Sequence, residues 1–108
     1  MVDIKTFKKI ALSFEGSEEK PHFDGTAFKV AGRRIFATFH EKSETANIKL
    51  SIIDQSVYYS FDRAAVYPVP NKWGLQGWTT FELKKVPVEL ISGALLTAYN
   101  AVLEKKKK

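Results

Sequence analysis

The apolar residues of this chain keep helical spacing at its two ends and alternate with polar residues through most of its middle, a change of period that few folds accommodate. Ile4, Phe7, Ala11 and Phe14, with Ile10 beside them, form one stripe, and Lys5, Lys8 and Lys9 lie on the other side. Residues 3 to 15 therefore read as an amphipathic helix, with Asp3 as N-cap and Gly16 as the left-handed residue that stops it. Ser17 to Lys20 reads as a polar loop, followed by a turn at Asp24-Gly25. From Thr26 the period is two. Phe28 and Val30 alternate with Lys29, Gly32 turns the chain, and Ile35, Ala37 and Phe39 alternate with Arg34, Phe36, Thr38 and His40. A third strand sets Ile48, Leu50 and Ile52 against Asn47, Lys49 and Ser51. Ile53, Val57 and Phe61 fall four apart and suit a short helix. Tyr67-Pro68-Val69-Pro70 can only be an edge strand or extended segment, because each proline lacks the N–H of a central ladder. Trp78 to Leu83 is the last strand, and Pro87 opens a helix whose stripe is Ile91, Ala94, Leu95, Ala98 and Val102. The order α-β-β-β-α-β-β-α predicts an α+β two-layer domain. Its antiparallel sheet of about five strands carries helices on one face and leaves the other open.

The length of 108 residues predicts one domain, residues 1–104, with a basic tail at 105–108. Net charge is +5, but four of the 17 basic residues stand in that tail; the remaining 13 face 12 acidic ones, a balance of +1. Such a tail can attract a polyanion and is equally a solvated end beyond a helix. The absence of cysteine excludes disulfides, thiol nucleophiles and Cys-type zinc sites. No window approaches the length of a membrane span and no signal peptide is evident, so a cytoplasmic protein without a membrane partner is expected.

Residues 67–79 gather both tryptophans, two of four prolines and two of six glycines. The Lys72-Trp73-Gly74 and Gln76-Gly77-Trp78 segments predict a loop whose backbone approaches a ligand closely. Trp73 is either exposed for recognition or a plug at the end of the core. If Val30, Ile35, Ala37, Phe39, Ile48, Leu50, Phe81 and Leu83 face the helices, then Lys29, Arg34, Phe36, Thr38, His40, Asn47, Lys49, Trp78 and Thr80 face away. That face would be basic and aromatic, suited to phosphates and bases, although a solvated sheet with cross-strand aromatic pairs has the same composition.

Catalytic chemistry has little footing. GxGxxG, GxxxxGK[ST] and GxSxG are absent, and Ser17-Glu18-Glu19-Lys20 matches Ser-x-x-Lys without its companion motifs. His22-Phe23-Asp24 offers two metal ligands without an evident third. The reading is of a protein that is not an enzyme, with no metal, cofactor or small-molecule substrate identified.

Phe28-Lys29-Val30-Ala31-Gly32-Arg33-Arg34-Ile35-Phe36-Ala37, Asn47-Ile48-Lys49-Leu50-Ser51, Pro68-Val69-Pro70-Asn71-Lys72-Trp73-Gly74 with Gly77-Trp78-Thr79, and Val86-Pro87-Val88-Glu89 together resemble the MmcQ/YjbR family. Gln76-Gly77-Trp78 stands where the commoner pattern has a single Trp after a His, as in a subgroup with Trp-Gly…Gly-Trp. The resemblance implies a compact α+β domain of the secretion-chaperone-like class and a DNA-binding, double-wing label. Lys29, Asn47, Lys49, Asn71, Lys72 and Trp78 match the family's pattern. The expected function is a largely non-sequence-specific DNA-binding module in which Lys29, Arg34, Lys49 and Lys72 meet phosphate while Trp73 or Trp78 stacks. The alternative is a chaperone-like module that binds a protein partner or forms a homodimer.

Overall fold

The computed structural model describes residues 2–22 and 25–104. The Asp24-Gly25 turn, the His22-Phe23-Asp24 grouping and the 105–108 tail fall wholly or partly outside the described residues.

The elements run α1 (Ile4–Leu12), β1 (Ser17–His22), β2 (Gly25–Val30), β3 (Ile35–His40), β4 (Thr45–Lys49), α2 (Ile52–Phe61), β5 (Val66–Pro68), α3 (Lys72–Leu75), β6 (Trp78–Glu82) and α4 (Val88–Glu104). Six strands form one antiparallel sheet in the order β1-β2-β3-β4-β6-β5. The α+β two-layer class is as expected, with one strand and one short helix more than the sequence suggested. β1 replaces the polar loop expected at Ser17 to Lys20. Its Glu18, Glu19, Lys20 and Pro21 have weak strand propensity, but they suit an edge strand, whose outer side must be charged or lack a donor to stay unpaired. β5, with Pro68, closes the other edge as expected.

Asp3 caps α1, its Oδ1 accepting from the Thr6 N–H at 2.9 Å; this bond holds the carboxyl below its ordinary pKa. The helix stops at Leu12 with Ser13 as C-cap, earlier than Gly16, and Gly16 instead takes φ +82° in the turn into β1. β4 likewise ends at Lys49, because Ser51 Oγ accepts from the Asp54 N–H and caps α2. Ile52 thus enters the helix rather than a strand. The apolar side of α2 that includes Ile53, Val57 and Phe61 faces solvent, Ile53 being 76% exposed, while Gln55 is the buried residue of that helix.

The core lies between one sheet face and the helices α1 and α4. Phe7, Phe28, Phe39, Ile48, Leu50, Phe81, Leu83, Ile91 and Leu95 are all buried there. Most of this follows the alternation; β3 does not. Phe28 pairs with Ala37 while the next residue, Lys29, pairs with Ile35, so Phe36 is an extra residue opposite Phe28. A bulge of this kind reverses the inward and outward phase of the strand on one side of it. Phe36, expected on the open face, is 0% exposed and sits edge-on to Phe14 and Tyr99 at ring-centroid distances of 6.3 and 6.0 Å. Ile35, expected in the core, stands instead on the open face beside Thr38 and His40.

Phe36→Ala is expected to cost about 3–5 kcal/mol of unfolding free energy, the usual loss for a buried Phe. Ile35→Ala is expected to cost clearly less, and urea titration of the two variants checks the order.

Candidate functional site

The open face is filled by short polar side chains that fix one another and by two indoles at one end. The β3–β4 register sets Thr38 opposite Asn47, and the β4–β6 register sets Asn47 opposite Thr80 and Lys49 opposite Trp78. Cross-strand neighbours at this spacing reach one another. Thr80 Oγ1 donates to Asn47 Oδ1 at 2.7 Å, and the His40 ring Nε2 lies 2.9 Å from Thr38 Oγ1 and 3.5 Å from Asn47 Nδ2. At the far edge the Tyr67 hydroxyl donates to Glu82 Oε2, and this bond pushes the phenol pKa up to about 12.

The tryptophans are placed by a locked loop. Asn71 caps α3, its Oδ1 accepting from the Trp73 N–H at 2.9 Å. A Cβ on Gly74 would stand 2.0 Å from the Val69 carbonyl oxygen, and one on Gly77, at φ +107°, would stand 1.8 Å from that of Leu50. Both glycines are required because the loop presses on its own chain. The Gln55 amide, 8% exposed in α2, donates to the Gly74 and Trp78 carbonyls at 3.0 and 3.2 Å. Sequence reasoning passed over Gln55; its signal was a lone amide in an apolar helical run. Trp73 is 53% exposed, so it is no core plug, and Trp78 faces the open side rather than a helix.

Two concavities meet at the indoles. A pocket of about 350 Å³ has apolar walls of Ile35, Val69, Trp73 and Trp78 and a polar side of Thr38, His40 and Asn47. Beside it, sharing Ile35, Trp73 and Trp78, runs a broader groove of about 1170 Å³. Five cations line that groove: Lys20, Lys29, Arg33, Arg34 and Lys49. No Asp or Glu lines it among the described residues; Glu18, opposite Lys29 in the β1–β2 ladder, is not in its wall. Arg33 is committed in part to the fold, its Nη1 donating at 3.0 Å to the Leu103 carbonyl at the end of α4. Of the expected site residues, Lys29, Arg34, Lys49, Trp73 and Trp78 thus share one groove, whereas Lys72, the exposed first residue of α3, lines neither concavity. Lys20 and Arg33 join them without a sequence signal: Lys20 reaches the groove from β1, where the sequence predicts a loop, and Arg33 from the turn between β2 and β3.

An open antiparallel sheet backed by helices, with a cationic groove running to two indoles, defines the class: a small two-layer α+β domain with one sheet face uncovered. The YjbR family model matches residues 12–101, and the chain belongs to that family. The crystal structure of Deinococcus radiodurans protein DR2400, which carries a DUF419 domain, is similar with a TM-score of 0.81 at 21% sequence identity, over 99% of this chain and 81% of that one. At that identity the likeness concerns the fold. No curated protein matches the sequence. No helix among the described residues is long and apolar enough to cross a membrane, and none of their His, Asp and Glu side chains gather in threes as metal ligands would.

Gln55→Ala is expected to lower stability by about 1–3 kcal/mol, since two hydrogen bonds between α2 and the loop are lost while the Gly74 and Trp78 carbonyls keep the N–H groups of Gly77 and Val69; chemical denaturation checks it. The raised Tyr67 pKa means the fold favours the protonated phenol. Its contribution is complete below the ordinary value of 10.0, and it is lost as pH rises through about 12. Tyr67→Phe is expected to flatten the stability profile across that alkaline window, measured by urea unfolding at successive pH values.

Proposed function

We propose that this chain is a binding module for nucleic acid, with DNA as the ligand and little choice of sequence. The observation that carries this reading is the groove: five cationic side chains in one concavity, without a lining carboxylate among the described residues, running up to two indoles. Cations arranged along a groove neutralise backbone phosphates irrespective of sequence, and exposed indoles offer flat faces to bases. Lys29, Arg34 and Lys49 are assigned to phosphate, joined by Lys20; Trp73 and Trp78 are assigned to stacking. Lys72 is left as a flanking charge. The reading is of binding rather than catalysis: the Thr38 hydroxyl that meets the His40 ring is 5% exposed and belongs to the hydrogen-bonded cluster of the sheet face. The reading places this binding in the cytoplasm.

If about four phosphates are engaged, log affinity falls against log salt with a slope near −3 to −4. Lys29→Glu combined with Arg34→Glu is expected to make the slope shallower and weaken binding to every sequence alike. Fluorescence anisotropy with labelled single-stranded and duplex DNA at several salt concentrations measures both. A flat response with both ligands contradicts the reading.

The exposed side of α2 supports a second reading, a protein-interaction module or homodimer. Ile52, Ile53, Val57 and Phe61 stand there in solvent, with Leu75 of α3 also exposed, and an apolar helix face of this kind is a common docking surface. Light scattering after size exclusion decides it: a dimer broken by Val57→Glu supports the second reading, and a monomer at all concentrations removes the homodimer.

A further inference from the structure

The pocket and the groove differ in chemistry although they share walls, and the pocket is the wrong shape for a duplex. Its volume of about 350 Å³ is near the small end of the range for ligand sites, and it has the composition of one: apolar and aromatic walls with a few convergent polar groups. Bases paired and stacked inside a duplex present only their edges, so an indole face meets a base only when that base has left the stack. The polar side is already oriented. Asn47 Oδ1 accepts from Thr80, which leaves it a second lone pair, and Nδ2 has two hydrogens, of which the 3.5 Å contact with His40 uses at most one. An amide held in this way offers a donor and an acceptor side by side. Every nucleobase has an edge with the complementary pair, so such a site binds bases without strongly choosing among them. Lys49 reaches the groove next to Trp78, its partner across the β4–β6 ladder, where a phosphate attached to the bound base would lie.

We infer that this pocket receives one unstacked nucleobase, laid against the indoles of Trp73 and Trp78 with its edge toward Asn47 and Thr38, and that the preferred form of nucleic acid is therefore single-stranded. The inference rests on the nucleic-acid reading above for its polymer, but the base-binding chemistry is the pocket's own. A free nucleotide carries the same chemistry, and the test separates the two sources.

The full chain is titrated with thymidine monophosphate, with a short oligothymidylate and with a hairpin duplex, following quenching of indole fluorescence and, for the polymers, anisotropy. The oligothymidylate is expected to bind at least about 10-fold more tightly than the duplex. Trp73→Ala, at an exposed position where folding is undisturbed by circular dichroism, is expected to weaken it roughly 5- to 150-fold, the range for losing one aromatic–base stack, with little change for the duplex. Asn47→Leu is expected to act on the single strand in the same direction. Equal affinity for duplex and single strand, with Trp73→Ala changing neither, overturns the pocket inference and leaves the nucleic-acid reading standing. Binding of the mononucleotide alone, sensitive to Trp73→Ala, supports the base pocket while contradicting the polymer reading. Binding of none of the three overturns both.

Discussion

One extra residue in β3 decides what the open face of this protein is. With Phe36 bulged opposite Phe28, a large aromatic ring turns into the core against Phe14 and Tyr99, and Ile35 turns out to form a wall of the pocket. Without the bulge, strict alternation would place Phe36 in solvent and Ile35 under the helices. The bulged register buries the larger phenyl ring in place of the Ile35 side chain, and the same shift shapes the surface beside Lys29 and Arg34. Core packing and site geometry are thus set by a single irregularity.

The second constraint is the loop that carries the indoles. Gly74 and Gly77 allow backbone to touch backbone at Val69 and Leu50, and Gln55 ties α2 to both the loop and the first residue of β6. These contacts hold the backbone that carries Trp73 and Trp78 at one end of the sheet, with the Trp73 side chain 53% exposed. In the proposed binding role a fixed loop backbone matters because a binding segment that must first be ordered loses part of its interaction energy to entropy. The exposed apolar side of α2 follows from the same arrangement: the helix spends its inward side on a hydrogen-bonding amide and on Tyr58, which meets Phe81 edge-on.

Much of the fold was legible because periodicity reports burial directly. The stripes of α1 and α4, the strands β2, β4 and β6, and the proline-marked edge at β5 all follow from spacing. What sequence did not show has physical causes. β1 is an edge strand, and the charges and proline that protect such an edge from pairing are the residues that read as a loop. The bulge leaves no mark in a pattern of apolar residues, since Ile35 and Phe36 are both apolar and either could be buried. α3 is a single turn whose glycines signal a loop. The basic and aromatic character of the open face was visible in Lys29, Lys49 and Trp78. Its concentration into one groove was not, because Lys20 reaches it from the unrecognised strand and Arg33 from a turn. Lys72, adjacent in sequence to Trp73, points elsewhere for the same reason that neighbours on a helical turn do not share a face.

Net charge is a poor guide to this protein, since away from the tail the chain is nearly neutral. What distinguishes it is the placement of its charge: the groove is cationic while carboxylates are held elsewhere, Glu19 with Lys8, Glu44 with Lys84 and Glu82 with Tyr67. The most direct test is residue-resolved NMR, following backbone amides and indole N–H groups as an oligonucleotide is added. The account predicts perturbations concentrated on Lys29, Ile35, Thr38, Asn47 and Lys49 and on both indoles, with Ile53, Val57 and Phe61 of α2 unmoved. Perturbations centred on α2, or spread evenly over the surface, would contradict it.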